Sequence, residues 1–270
     1  MKVGIVGTGN MGSHYVKKFD LLGYDAVLID KESERLRKHP DKFKKYTDLD
    51  EALKNEHIDF LFIATDPKSH IPLAKKALER DINVMVEKPP SLEPSQLEEA
   101  INLAKKRNVY FGVSEIELRS SSIRNLEKKH DISEVEAYRL NLRSGYINPF
   151  YDLAWHDLYI FSYLFGDVKI KKVIDKGNIF EVYGETKENE FFLQVAWSHE
   201  YLRREWILKG KKEKTVLNFV EDKIIYPSGK IKEKDNVDKL ELMIKEFVEK
   251  PSFDSAYRAL NILKEFKKFS

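Results

Sequence analysis

Apolar and polar positions follow two different rhythms along this chain. Up to about residue 113, short unbroken apolar runs at 3–6, 26–29, 60–64, 83–86 and 109–113 alternate with helix-spaced stretches. An unbroken run suits a strand covered on both faces, whereas a stripe recurring every three or four positions suits a helix packed on one side. Met11, Tyr15, Val16, Phe19 and Leu22 form the first stripe, with Gly23 as its stop. Charged or striped helices are predicted at 32–38, 71–79 and 94–106, and Asp48 with Glu51 has the spacing of a capping box before a short helix. Strands and helices in turn, joined by right-handed crossovers, give a parallel sheet with helices on both faces.

Beyond residue 114 the rhythm changes. A helix is expected at about 121–129, and residues 138–143 alternate strictly, as a strand with one wet face does. Arg139 and Arg143 are assigned to that wet face, either solvated or in contact with an acidic substrate group. Residues 150–165, FYDLAWHDLYIFSYLF, read as a largely apolar helix closed by Gly166. Alternating runs at 179–183, 191–197, 205–208, 215–219 and 223–226 follow, separated by turns such as Pro227-Ser228-Gly229. They predict a mostly antiparallel meander, with Leu193, Val195 and Trp197 on one face. Helices at 237–249 and 253–268, split by Pro251, complete the pattern. The fold class is α/β: an N-terminal Rossmann domain with a parallel sheet, then an α/β domain with a mostly antiparallel open sheet.

Composition narrows the function. Forty-seven basic and 45 acidic residues leave a net charge of only +2, so no global field calls for nucleic acid or an anionic membrane. No segment of the 270 residues is apolar for long enough to span a bilayer, and the N-terminus runs into a strand instead of a signal sequence, so a cytoplasmic protein is expected. The absence of Cys excludes disulfides and thiolate metal sites, and no metal is expected. Abundant Lys and Glu, with four Met and two Gln, is a thermophile-like composition.

Candidate chemistry begins at Gly7-Thr8-Gly9-Asn10-Met11-Gly12, a G-x-G-x-x-G loop between the first strand and first helix. Gly7 permits the tight turn, Gly9 lets backbone amides approach a pyrophosphate, and Gly12 lets the helix pack close to the strand. Asn10 and Met11 open the helix whose N-terminus faces the anion. Asp30 ends the second strand 18 residues after Gly12, where a dinucleotide site places the carboxylate for the adenosine ribose. The alternative is a phosphate-free turn in which Asp30 caps the next helix. The carboxylate favours NAD; Lys31, Arg35 and Arg37 offer cations to a 2′-phosphate, which keeps NADP as the alternative. Thr65 to His70 is a polar turn at the C-terminal end of the third long run, where open α/β sheets bind ligands.

Glu87-Lys88-Pro89-Pro90 ends the next strand, and the two prolines fix the direction of Lys88. Its ammonium could stabilise alkoxide character during hydride transfer; the residues alone favour a solvated lysine beside Glu87. Asp152, His156, Tyr159 and Tyr163 fall on one stripe of the apolar helix. His156 could take a proton from an alcohol with Asp152 orienting it, or be an internal histidine satisfied by Asp152.

Four features in order resemble the Gfo/Idh/MocA oxidoreductases, named for glucose-fructose oxidoreductase and inositol dehydrogenase. They are Val3 to Gly12, Ile63-Ala64-Thr65 to His70, Glu87-Lys88-Pro89, and Asp152-x-x-x-His156. The resemblance implies catalytic roles for Lys88, Asp152 and His156. It also implies cofactor contacts at Gly7, Gly9, Asn10, Met11, Gly12, Asp30, Thr65, His70, Glu87 and Lys88. It implies an NAD(P)-dependent oxidoreductase acting on a hydroxyl or carbonyl of a sugar, cyclitol or sugar derivative. The domain division expected is 1–116 for the Rossmann domain, 117–250 for the substrate and oligomerisation domain, and 251–270 for a helix returning to the first. The open sheet is expected to meet another subunit in a homodimer or homotetramer. Two departures stand out: Tyr159 occupies a position where the family often has Asp, and Glu115 to Arg119 does not match the Arg-Phe-x-Pro type of segment. The competing classes are a non-catalytic nucleotide and sugar sensor on the same scaffold, and an imine or tetrapyrrole reductase.

Overall fold

The computed structural model describes residues 1–127, 132–145 and 147–269. It divides into two compact units, Met1–Ser114 with Leu240–Leu260, and Glu115–Lys239 with Asn261–Ser270.

The first unit opens with β1 (Lys2–Val6), α1 (Asn10–Leu21), β2 (Asp25–Ile29), α2 (Ser33–Arg37), β3 (Lys44–Tyr46) and α3 (Leu49–Asn55). It continues with β4 (Phe60–Ile63), α4 (Pro67–Leu78), β5 (Asn83–Val86), α5 (Pro94–Lys106) and β6 (Phe111–Val113). The six strands pair in parallel in the order β3-β2-β1-β4-β5-β6. Every strand except β3 is nearly all buried, as continuous apolar runs require. Lys44-Lys45-Tyr46 carries no apolar run and is held as an edge strand by backbone pairing to β2, so periodicity could not announce it. The Asp48 cap is formed: its carboxylate accepts the Glu51 N–H at 2.9 Å. α4 begins four residues earlier than the apolar stripe indicates, because Asp66 caps Lys68 N–H at 2.9 Å and Pro67 supplies the first helical position. The predicted polar turn is therefore largely the first turn of a helix.

The second unit contains α6 (Ser121–Arg124), β7 (Ile132–Leu140), α7 (Pro149–Asp152) and α8 (Ala154–Phe165). The helix expected at 121–129 is shorter: it ends at Arg124 with Asn125 as its C-cap, residues 125–127 are not helical, and 128–129 lie outside the described residues. The strands β8 (Lys169–Asp175), β9 (Ile179–Glu185), β10 (Glu190–Ala196), β11 (Arg203–Gly210), β12 (Lys214–Asn218), β13 (Lys223–Ile225) and β14 (Ile231–Lys232) follow. Their sheet has the order β14-β13-β12-β11-β7-β10-β9-β8, antiparallel throughout except for the parallel pair β7 and β10.

Two expectations are corrected here. The helix over 150–165 is interrupted: α7 ends at Asp152, and Leu153 O takes the His156 N–H at 3.2 Å, a three-residue step that shifts the polar stripe. Tyr163, placed on that stripe, is 53% exposed, while Tyr159 is 1% exposed. Arg139 is not on a wet face. It shares the buried face of β7 with Val135 and Ala137 and is 3% exposed, because Asp157 of α8 neutralises it.

α9 (Lys239–Glu249) and α10 (Asp254–Phe266) end the chain's regular structure. From Leu240 to Leu260 they belong to the first unit, where Phe247 lies edge-on to Phe60 and Phe62 of β4 at 5.9 and 6.0 Å. Gly112 of β6 makes room for that ring, since a Cβ there would stand 2.8 Å from it. Asn261 onward belongs to the second unit, where Phe266 stacks on Trp155 at 5.5 Å. No helix among the described residues is long and apolar enough to cross a membrane.

Candidate active site

The C-terminal ends of β1, β2, β4 and β5 carry the sequence-predicted cofactor residues. Gly7, with φ +88°, donates its N–H to Ile29 O at 2.8 Å, and a Cβ there would stand 2.7 Å from Ala64 O. Gly12 is tighter, with a Cβ falling 1.8 Å from Gly7 O. Both glycines are demanded by the protein's own backbone. Gly9 differs: a Cβ there would meet only Arg35 Nη1, at 3.6 Å. Among the described residues only the Arg35 guanidinium comes within 4 Å of that position, and no side chain caps the α1 terminus that Gly9 opens. Asn10 and Met11 form the first turn of α1. Uncapped amides at a helix N-terminus beside an open glycine suit a pyrophosphate, so the residues present fit a dinucleotide.

Asp30 is buried beneath this loop. Its Oδ2 accepts the Thr8 N–H at 2.7 Å and the Thr8 hydroxyl at 3.0 Å, and its Oδ1 accepts the Glu32 N–H at 2.9 Å. One carboxylate thus fixes the glycine loop and starts α2. Arg35 Nη1 stands 3.9 Å from Asp30 Oδ2, while Arg35 Nε pairs with Glu32 at 3.0 Å. The His39 imidazole is pushed below its ordinary pKa mainly by burial.

His70 is fully buried. Its Nε2 lies 3.0 Å from Thr65 O and its Nδ1 lies 3.1 Å from Pro89 O, so the ring is wedged between the start of α4 and the segment after β5, and in its neutral form donates to one of the two carbonyls. Burial lowers its pKa, outweighing the two carbonyls. Thr65 Oγ1 is 2.7 Å from Ser69 Oγ. Glu87 accepts the Tyr15 hydroxyl at 2.7 Å, and burial together with the Glu87 charge holds the Tyr15 pKa well above its usual value. Glu87 is thereby fixed from α1, and Lys88 N–H lies 3.3 Å from Glu87 Oε2. The Lys88-Pro89 peptide bond is cis.

In the second unit Asp152 closes α7 and His156 lies in the first turn of α8. His156 Nδ1 is 3.0 Å from the Tyr159 hydroxyl, and that oxygen also accepts the Glu117 N–H at 3.0 Å. Burial and the Glu117 charge raise the Tyr159 pKa well above its usual value, so the phenol stays protonated. Next to His156, Asp157 faces the sheet. It accepts Arg139 Nε–H at 2.6 Å, Arg139 Nη2–H at 3.2 Å and Trp206 Nε1–H at 2.8 Å.

The predicted residues thus form three sets: Gly7, Gly9, Asn10, Met11 and Gly12 with Asp30; Thr65 and His70 with Glu87 and Lys88; and Asp152 with His156. The first two sets belong to the first unit and the third to the second. Sequence reasoning passed over Thr8, Tyr15 and Asp157. Thr8 and Tyr15 gave no separate signal, since one is a free position of the glycine motif and the other an apolar-stripe residue. Asp157, a charge within a nearly all-apolar segment, was a signal.

Residues 1–115 match the family model GFO_IDH_MocA, described as an oxidoreductase family with an NAD-binding Rossmann fold. The chain is 24% identical over 165 residues to UDP-N-acetylglucosamine 3-dehydrogenase of Acidithiobacillus ferrooxidans, covering 58% of this chain and 52% of that protein. It is 29% identical over 174 residues to glycosyl hydrolase family 109 protein 5 of Phocaeicola vulgatus, covering 57% of this chain and 33% of that one. With myo-inositol 2-dehydrogenase of Thermotoga maritima it shares 22% identity over 198 residues, covering 66% of this chain and 59% of that one. The matches therefore span from about a third to three fifths of the length of these relatives. The crystal structure of the A. ferrooxidans enzyme superposes with a TM-score of 0.86 at 18% identity, covering 99% of this chain and 96% of that one, a likeness of fold.

Proposed function

We propose a function on the premise that this chain belongs, through residues 1–115, to the Gfo/Idh/MocA oxidoreductase family with its NAD-binding Rossmann fold. It is an NAD(P)-dependent oxidoreductase acting on a hydroxyl or carbonyl of a sugar, cyclitol or sugar derivative. The observation that carries the reading is the approach to Gly9, where a Cβ would meet only the Arg35 guanidinium, at an uncapped helix terminus flanked by two glycines that the protein's own backbone closes. The names of relatives that are sugar and inositol dehydrogenases support the substrate class. In the proposed division of labour, the first unit holds the cofactor and the second, Glu115–Lys239 with Asn261–Ser270, receives the substrate, so α9 belongs with the cofactor side and not with the 117–250 segment expected from sequence.

When bound, the nicotinamide supplies the hydride acceptor or donor. The protein's own residues handle position and proton. Gly9, Asn10, Met11 and Gly12 present backbone to the pyrophosphate, and the Asp30 carboxylate beside the loop favours NAD over NADP by repelling a 2′-phosphate. Thr65 and Glu87 line the cofactor side of the sheet's C-terminal edge, and His70 acts as a positioning residue that holds their two segments together. Lys88 donates to the substrate oxygen and stabilises its alkoxide character. His156 takes the alcohol proton on Nε2, with Nδ1–H donated to the Tyr159 oxygen, and Asp152 supports its basicity. Tyr159 then occupies the orienting position that the family often gives to Asp.

The second sheet has one face packed by α8, and the opposite face carries Tyr138, Phe192 and Tyr183. Their rings lie 5.9 and 5.2 Å apart in sequence, with the Arg203 guanidinium 3.4 Å above Tyr138. A half-exposed aromatic centre on a broad sheet supports a homodimer or homotetramer through this face.

His156→Ala is expected to lower turnover about 10²- to 10⁴-fold with cofactor affinity unchanged, and Lys88→Ala to act on turnover in the same sense. Nicotinamide absorbance with a panel of sugars and polyols, with NAD and with NADP, is the assay. Near-normal rates in both variants would sink the catalytic assignment and favour a sensor.

A further inference from the structure

The second unit contains a cation, Arg204, that no carboxylate among the described residues pairs with. Arg204 stands opposite Arg139 in the register of β11 and β7. Arg139 is answered by Asp157 at 2.6 Å, but Arg204, which is half-buried, makes no ion pair among the described residues. Its Nε–H and Nη2–H both go to one neutral oxygen, Asn141 Oδ1, at 2.9 and 2.5 Å. Two of the five guanidinium N–H groups are used in this way. The carboxylates in electrostatic reach are already engaged, Asp157 by Arg139 and Glu117 by Lys239 at 3.1 Å. Burial, with the Arg139 charge, lowers the Arg204 pKa, the direction expected of a cation short of counter-charge.

Asn141 itself is 3% exposed, and its Nδ2 is buried with no hydrogen-bond partner among the described residues. A buried amide that spends its oxygen on a guanidinium and leaves its own donors unanswered costs stability that an apolar residue would not. The guanidinium keeps three N–H groups beyond the two it gives to Asn141. The Asn141 backbone carbonyl accepts the His199 N–H at 2.8 Å, and Leu142, the next residue along, is 57% exposed.

We propose that Arg204, oriented by Asn141, is an anion subsite of the second unit that receives a carboxylate or phosphate group carried by the sugar substrate. This rests on the reading of the chain as an oxidoreductase of sugars and narrows it to acid-bearing ones. A planar guanidinium with three donors left matches either oxyanion in a forked geometry, which a lysine would not reproduce.

The test is equilibrium binding to the NADH-loaded protein, with glucuronate, glucose 6-phosphate and glucose as probes. Wild type is expected to bind one of the two acids at least about tenfold tighter than glucose, a typical worth for a charge-assisted hydrogen bond; which acid wins identifies the group. Arg204→Met is expected to lose that preference and Arg204→Lys to keep only part of it. Asn141→Asp keeps the shape and places a carboxylate on Arg204, so it should abolish the preference while the melting temperature holds or rises. Equal binding of acids and glucose by wild type, or an acid preference that survives in folded Arg204→Met or Asn141→Asp, overturns the subsite. The enzyme reading fails separately, if no sugar that binds changes nicotinamide absorbance.

Discussion

At the scale of single residues, the three glycines of the loop separate binding from folding. Gly9→Val places a side chain against only the flexible end of Arg35, so the fold should stand while dinucleotide affinity is lost. Gly12→Ala places a Cβ 1.8 Å from Gly7 O and should destabilise the chain by roughly 1–3 kcal/mol or more. Paired NADH titrations and melting curves check both, and wild-type affinity in Gly9→Val would refute the cofactor site. His70 gives a pH dependence. Its folded pKa is depressed, so the unfolded chain binds a proton that the folded chain does not. Its contribution to stability is therefore full above about pH 6.5, the unperturbed value, and is lost as pH falls through and below it. Denaturation midpoints between pH 8 and 5 should fall more steeply in wild type than in His70→Gln. The glycine spacing was legible because only glycine meets those steric demands. The Asp30 contacts with Thr8 were not, since spacing gives the position of a carboxylate and not the donor it chooses.

Among the elements, α8 was only partly legible. Its apolar character and its Gly166 stop, with φ +88°, follow directly from sequence. The break at Leu153 does not, because no Gly or Pro marks it, and α7 is started instead by Asn148, whose side chain accepts the Phe150 N–H at 2.8 Å. Arg139 was misplaced for a related reason: alternation assigns a charged residue outward unless its partner, 18 positions away, is already known. The buried pair joins α8 to β7, with Trp206 of β11 as a third member. Asp157→Ala leaves a guanidinium buried without its carboxylate and should cost about 3–5 kcal/mol, read as a shift in denaturant midpoint. Arg139→Met combined with Asp157→Leu should recover much of that loss, because it removes both charges together. A double variant as unstable as Asp157→Ala would show that packing, not charge, dominates there.

At the scale of the whole molecule, the parallel sheet and the mostly antiparallel second sheet were both legible from the two rhythms of apolar positions. The return of Leu240–Leu260 to the first unit was much less so, because no local pattern says which distant sheet an amphipathic helix will cover. The aromatic face of the second sheet carries the assembly prediction. Light scattering should find a dimer or larger species at micromolar concentration, and Phe192→Glu should yield folded monomer. A wild-type monomer would remove that face as an interface.

The return of α9 also sets a timetable. Residues 1–114 leave the ribosome long before Phe247, which covers Phe60 and Phe62 of β4. At about 5–20 residues per second the nascent parallel sheet waits roughly 7 to 30 seconds for its last layer, while Glu115–Lys239 of the second unit is being made. Its uncovered phenylalanines are, for that interval, a surface that chaperones can hold and that other nascent chains can stick to. Damage at Phe247 would accordingly be felt first as poor yield in the cell, before any assay of the purified protein could register it.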